Sequence, residues 1–214
     1  MNIILLGAPG SGKGTQADFI TKKYGIPKIS SGEILRSIIN SGSNLGNKIK
    51  KIINIGKLVN DKLILNFIKD RILKKDCKNG FLLDGFPRTI FQAKAIKEIG
   101  INIDYVLEFK ISDALVMNRI IGRRIHIPSG RIYHIKFNPP KIINKDDITG
   151  ENLSIRQDDQ EITIQKRLFE YHQRTIPLIF YYRQEAKINN IKYHKIDATC
   201  KINDINSMLS MIIN

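Results

Sequence analysis

Tryptophan is absent from this chain, and aromatic residues together make up only 7% of it. That scarcity argues against a surface that grips nucleic acid by stacking bases on rings interleaved with basic residues. Cysteine is nearly absent too. Cys77 and Cys200 stand far apart with no C-x-x-C pattern, which excludes a disulfide framework and a thiolate metal site and suits a reducing cytoplasm. No apolar run approaches the roughly 18 residues of a spanning helix, and no basic region leads into an apolar stretch at the N-terminus. Neither a membrane anchor nor a targeting signal is expected. Acidic residues are the last shortage: 20 Asp+Glu against 35 Lys+Arg leave a formal charge of +15. Such a surface attracts polyanions, whether nucleic acid, anionic lipid or nucleotide phosphates. Because the lysines are scattered, charge alone chooses none of them.

What is present is an ordinary globular composition, 42% hydrophobic and 26% charged over 214 residues, enough for one main core with small inserts. Asn2 to Leu6 is a short apolar run, followed by glycines and then by helical spacing from Gln16 to Ile20. Apolar runs at Phe81 to Leu83 and Tyr105 to Phe109 each precede a helical pattern, and Tyr193 to Ile196 precedes an amphipathic stretch, Ile202 to Ile213. Strands alternating with helices predict a parallel α/β sheet covered on both faces. Two segments break this rhythm. Ser30 to Val59 carries helical patterns punctuated by glycine and reads as a small helical insert. Gly122 to Asp159 holds Pro128, Pro139 and Pro140 with alternating residues from Arg131 to Lys136, and reads as a compact β-rich insert. Beyond it one long helical pattern runs from Gln160 to Lys187, expected to kink near Pro177.

The strongest local signal is Gly7-Ala-Pro-Gly-Ser-Gly-Lys-Gly-Thr15 between a predicted strand and a predicted helix. In that context the glycines let backbone N–H groups wrap a phosphate, the helix N-terminus adds partial positive charge, and Lys13 adds a full one. The hydroxyl usually found directly after the lysine arrives one place late, at Thr15. A second constellation, Phe81-Leu-Leu-Asp-Gly-Phe-Pro-Arg88, ends an apolar strand in a carboxylate. Asp84 would emerge beside the phosphate loop, where it can hold Mg²⁺ through water. Arginine recurs at 36, 88, 119, 123, 156 and 167, and the i,i+4 spacing of Arg119 and Arg123 predicts one shared helix face. Forked guanidinium groups suit the transfer of a phosphoryl group between polyanions.

Three motifs then carry a specific resemblance: G-x-P-G-x-G-K-G-T at the start, D-G-F-P-R-T-x-x-Q from Asp84 to Gln92, and G-R-R-x-H-x-x-S-G-R-x-Y-H from Gly122 to His134. Together they resemble the adenylate kinase family in its long-lid bacterial form, and the similarity runs through Arg156-Gln-Asp-Asp159 and beyond. The resemblance implies a P-loop three-layer sandwich around a central parallel five-stranded sheet. The core would comprise 1–29, 60–121 and 160–214, with an AMP-binding insert at 30–59 and a lid insert at 122–159. It implies that Gly10, Ser11, Gly12, Lys13, Gly14 and Thr15 hold the ATP phosphates, that Arg119 lies along the ATP adenine, and that Arg123 meets phosphate. Ile132 and Tyr133 would close over the nucleotide, and Cys200 would serve the base through its backbone. AMP would sit against Ser31, Arg36, the Lys57-Leu58-Val59 backbone, Gly85, Phe86, Pro87, Arg88 and Gln92. Arg156 and Arg167 would bridge the exchanging phosphates, while Asp158 and Asp159 orient the closed lid.

The implied reaction is MgATP + AMP ⇌ 2 ADP, with Mg²⁺ the cofactor and a cytoplasmic monomer expected. A phosphate nucleophile is already anionic, which agrees with the lack of any evident Ser/His/Asp or Cys/His arrangement. A kinase for another nucleoside monophosphate shares most of these residues. Gln92, Ser31 and the long insert favour AMP, since uridylate and cytidylate kinases carry Asn in place of that Gln and a short insert. A basic nucleic-acid-binding P-loop protein leaves Asp84 to Gln92 unexplained. Ser31 stands where Thr is commoner and Glu33 where Asp is commoner, and the longer Glu33 bears on magnesium geometry. Some relatives bind structural zinc through cysteines in the lid; the matching positions here are His126, Ser129, Asp146 and Thr149. Hydroxyls are poor zinc ligands, so a hydrogen-bonded cluster without zinc is expected.

Overall fold

Residues 1–213 are described by the structure, a computed structural model. The element order begins β1 (Asn2–Gly7), α1 (Lys13–Tyr24), β2 (Lys28–Ser30), α2 (Ser31–Asn40), α3 (Asn44–Asn54), α4 (Asp61–Ile72), β3 (Phe81–Asp84), α5 (Ile90–Glu98). It continues with β4 (Tyr105–Lys110), α6 (Asp113–Ile121), β5 (Arg123–Ile125), β6 (Ile132–His134), α7 (Glu161–Glu170), α8 (Ile176–Ile188), β7 (Lys192–Asp197) and α9 (Ile202–Ile212). Five strands form one sheet in the order β2-β3-β1-β4-β7, and every pairing in it is parallel. Helical crossovers lie between its strands, as parallel pairing demands.

Period-two alternation along β1 explains the three layers. Ile4 and Leu6 join one apolar cluster with Leu83, Val106 and Leu178, whereas Ile3 and Leu5 join another with Leu82, Leu107, Ala17 and Leu209. Successive side chains thus point to opposite faces, and both faces are covered. That is why residues 3–6 form an unbroken apolar run, each of them no more than 1% exposed.

The edge strand β2 was not among the apolar runs, since Lys28-Ile-Ser30 is too short and too polar to read as one. It bonds only to β3, with Ser30 opposite Asp84. A lysine on an exposed strand edge also discourages pairing with another chain.

Two pairs of elements add to the sheet and its covering helices. Helices α2 and α3 pack against each other through Ile38, Ile39, Ile49 and Ile52. Strands β5 and β6 pair antiparallel, Arg123 opposite His134 and Ile125 opposite Ile132, within a loop-rich segment. The long C-terminal helical pattern is interrupted before Pro177 by a π turn, Tyr171–Thr175. Pro177 then occupies the first turn of α8, where its missing N–H costs nothing. Among the described residues no helix is long and apolar enough to cross a membrane.

Candidate active site

A cleft of about 1250 Å³ opens over the carboxyl ends of β1, β2, β3 and β7. The chain reverses its strand order around β1, and such crevices are where open α/β sheets hold ligands. Its volume exceeds the roughly 300–1,000 Å³ of a typical single small-ligand site, so two nucleotides are a reasonable load.

The Gly7–Thr15 loop forms one wall. At Gly10, φ is +75° and a Cβ would lie 2.6 Å from Ile120 Cγ1, so only glycine lets the loop pass this close to α6. Helix α1 begins at Lys13 with no side-chain cap and no acidic residue in its first turn, which leaves its N–H groups and positive end for an anion. Lys13 Nζ donates to the carbonyls of Gly7 at 2.5 Å and Ala8 at 2.7 Å and to Ser11 Oγ at 3.3 Å. Loss of hydration, opposed by Asp84 and reinforced by Arg88, Arg167 and Arg123, lowers the Lys13 ammonium to about 8. Asp84 ends β3 beside this loop, its Oδ2 3.9 Å from where a Cβ on Gly14 would begin.

Arginines from distant parts of the chain converge on the same space. Arg36 (α2), Arg88 (the β3–α5 loop), Arg119 (α6), Arg123 (β5), Arg156 and Arg167 (α7) all line the cleft. Burial, then the neighbouring guanidinium groups of Arg167 and Arg36, brings Arg88 down to about 10; burial, then Arg123 and Arg36, brings Arg156 to about 9. Burial likewise lowers Arg167 and Arg36. The buried Nε of Arg156 has no protein hydrogen-bond partner. Clustered cations with an unspent donor are chemically arranged for a polyanion.

The shared helix face expected of Arg119 and Arg123 is not what brings them together. Helix α6 ends at Ile121, and Arg123 lies past the Gly122 cap in β5. Arg123 forms a close bidentate pair with Asp159, and Arg167 Nη1 donates to Asp158 Oδ2 at 2.9 Å. Burial works to raise Asp158, but Arg167, Arg123 and Arg156 outweigh it and hold the carboxyl below its usual range. Asp158 lines the cleft; Asp159 stands behind it, its side chain fully covered against Arg123 and Arg167.

At the other end, Ser31 Oγ and Arg88 Nε both donate to the Gly85 carbonyl, at 2.6 and 2.7 Å. Gly85 has φ +71°, and a Cβ there would meet Ser31 Oγ and Arg88 Nη2 at 2.9 Å. The peptide Phe86-Pro87 is cis. Lys57, Leu58, Val59, Phe86, Pro87 and Gln92 line the cleft as well, as do Ile132, Tyr133 and Cys200. Glu33 reaches Lys28 Nζ at 2.8 Å, which also binds Asp18.

Several cleft residues carry no motif signal in the sequence. Phe137 lies 5.5 Å beneath the Arg119 guanidinium and 4.5 Å from the His134 ring. Thr175, in the π turn, donates to the Arg88 carbonyl at 3.0 Å. The only available sign of Phe137 is an aromatic opening the Pro139-Pro140 stretch; nothing marks Thr175.

The hydrogen-bonded cluster within residues 122–159 is larger than the four positions that the resemblance indicates. His126 Nδ1 is 2.7 Å from Ser129 Oγ, and its Nε2 donates to Glu151 Oε2 at 2.5 Å. Asp146 accepts a fork from Arg131 at 2.8 and 2.6 Å, the Tyr133 hydroxyl at 3.0 Å, and both the hydroxyl and N–H of Thr149. Arg131 foremost holds the Asp146 carboxyl well below the usual range.

The sequence profile of a family described as adenylate kinase matches residues 5–187. A curated relative, the adenylate kinase of Photorhabdus laumondii subsp. laumondii, is 60% identical over 214 residues, covering 100% of both chains.

Proposed function

The chain belongs to the adenylate kinase family and catalyses phosphoryl transfer between ATP and AMP, and on that premise we propose how its residues divide the work. The carrying observation is the convergence of Lys13 and the arginines on one cleft between two differently built ends. ATP phosphates occupy the loop Gly10 to Thr15, its base lying between Arg119 and the Cys200 segment. AMP occupies the end formed by Ser31, Arg36, Lys57 to Val59, Gly85 to Arg88 and Gln92.

Lys13 leaves its own loop carbonyls for the β- and γ-phosphates, exchanging neutral acceptors for anionic ones. Arg88 orients the acceptor phosphate while Arg123, Arg156 and Arg167 neutralise charge on the group in flight. Positioning and electrostatics supply the rate, so no general base is required. Asp158 and Asp159 aim these arginines. Asp84 and the Thr15 hydroxyl are hard oxygen donors beside the loop and fit Mg²⁺ held largely through water. Bound there with ATP, Mg²⁺ would neutralise phosphate charge. The 30–59 and 122–159 segments act as inserts that close over the two nucleotides and exclude water as a competing acceptor. The lid is held by hydrogen bonds and not by zinc: Arg131 already occupies the Asp146 carboxylate that a metal would need. The enzyme works as a cytoplasmic monomer, one chain furnishing every group named.

Offering ATP with AMP, GMP, UMP or CMP and measuring diphosphate formation tests the assignment. AMP should lead by at least about a hundredfold in kcat/KM. Comparable use of UMP or CMP would move the protein to another acceptor class.

A further inference from the structure

Gln92 is only 2% exposed, yet its side chain reaches the cleft. A carboxamide has one donating and one accepting end of nearly equal shape, so its value in recognising a base depends on which way round it is held. The surroundings of Gln92 are asymmetric. The Arg88 backbone N–H, which can only donate, bonds Gln92 Oε1 at 2.7 Å. The Asp61 carboxylate, which as an anion can only accept, takes Gln92 Nε2 at 2.6 Å. Turning the amide over would set donor against donor and oxygen against oxygen.

Asp61 is itself held. Its Oδ2 accepts the Thr89 hydroxyl at 3.0 Å, and Thr89 caps α5 by accepting the Gln92 backbone N–H at 3.2 Å. Asp61 is the first residue of α4, two positions after the Lys57 to Val59 wall, and does not line the cleft. With these bonds made, Gln92 retains one N–H and one oxygen lone pair for a ligand. A 6-aminopurine offers a ring-nitrogen acceptor beside an amino donor, which matches that pair; a 6-oxopurine offers N–H beside a carbonyl, which matches the overturned amide.

We propose that Asp61 is a specificity-determining positioning residue: by locking the orientation of Gln92 it makes the acceptor site select a 6-aminopurine monophosphate over a 6-oxopurine one. This rests on the reading above that AMP is the acceptor and that Gln92 faces its base.

The test is steady-state kinetics with AMP and inosine monophosphate as acceptors for wild type, Asp61→Asn, Asp61→Ala, Gln92→Ala and the Asp61→Ala/Gln92→Ala pair. Asp61→Asn keeps the volume but replaces an acceptor-only carboxylate with an amide that can offer Gln92 either an oxygen or an N–H, leaving the Arg88 N–H as the one orienting group that cannot adapt. It should raise the KM for AMP about tenfold and reduce AMP-over-inosinate discrimination about tenfold, with kcat and the KM for ATP within about twofold. In the Gln92→Ala background Asp61→Ala should add nothing further to the KM for AMP. Unchanged discrimination in Asp61→Asn, multiplying effects in the pair, or parallel loss of kcat and ATP affinity would each overturn the proposal. So would failure of Asp61→Asn to fold, judged by circular dichroism, since that outcome makes the residue structural. If wild type itself prefers UMP or CMP, the functional reading fails; if wild type prefers AMP and Gln92→Ala abolishes that preference while Asp61→Asn and Asp61→Ala leave it intact, only the role of Asp61 fails.

Discussion

The sheet and residues 122–159 are stabilised by opposite means. Around β1 the interior is aliphatic, with Ile3, Ile4, Leu82 and Leu83 wholly covered. In residues 122–159 the covered side chains include His126, Asp146 and Asp159, whereas Ile127, Ile142, Ile143 and Ile148 are each more than 60% exposed. Apolar burial is non-directional and summed over a large area, so the sheet is a rigid floor for the phosphate loop. Hydrogen-bonded clusters are directional and local, so residues 122–159 are shaped by specific pairings and not by summed apolar area. With residues 122–159 acting as the lid proposed above, a rigid floor and a separately pinned cover suit a reaction that must exclude water.

The sharpest contrast is obtained at Lys13, which belongs to the floor but whose buried charge opposes folding at pH 7. Lys13→Met should lower kcat by about 10²–10⁴ without lowering the melting temperature at pH 7. The folded ammonium titrates near 8 instead of 10.5, so the unfolded chain holds more protons between those values, and stability gains from this group as pH rises through them. Below pH 8 the buried charge is a cost, which methionine removes. A clear loss of stability in Lys13→Met, measured by calorimetry at pH 7, would show that the loop depends on its lysine for folding.

Cutting the two regions separately should give unlike results. Leu83→Ala leaves a void beneath the site and should cost roughly 2–5 kcal/mol in a denaturant titration of the whole fold. Asp146→Ala strips the acceptor from Arg131, Tyr133 and Thr149 and should speed amide exchange across 122–159, with β1 and β3 amides unaffected and the KM for ATP raised severalfold. Global unfolding by Asp146→Ala would erase the distinction between floor and cover.

The smallest expected signal is a fraction of a proton. At pH 8 the free Lys13 is about half protonated, and nucleotide phosphates should complete its protonation, so MgATP binding should take up about half a proton. Calorimetry in buffers of different ionisation enthalpy reads this directly, and Lys13→Met should abolish the uptake. Equal uptake by that variant would assign the titration to another group.

Much of the molecule was legible because the relevant physics is local. An apolar run leading into Gly7 to Thr15 announces both a buried strand and a phosphate loop, and Asp84 to Gln92 announces the opposite wall. Strand β2 was illegible because an edge strand of three residues buries too little to leave a pattern. Arg123 was assigned to a helix by spacing, yet Gly122 ends that helix. The lid cluster was half visible: His126, Ser129, Asp146 and Thr149 stood out by position, but Glu151 and Arg131 join it only because the folded loop returns them to it.

Sequence by itself determined the class of chemistry, the parallel sheet and the inventory of candidate phosphate-binding groups, because helix starts, strand runs and glycine turns depend on neighbours within a few residues. Tertiary structure alone decided that Arg36, Arg88, Arg123, Arg156 and Arg167 share one space, that Lys13 rests on its own loop, and that Asp61 fixes the orientation of Gln92. Convergence of groups up to 131 residues apart depends on how layers pack, and desolvation and like-charge crowding arise only after that packing has taken place.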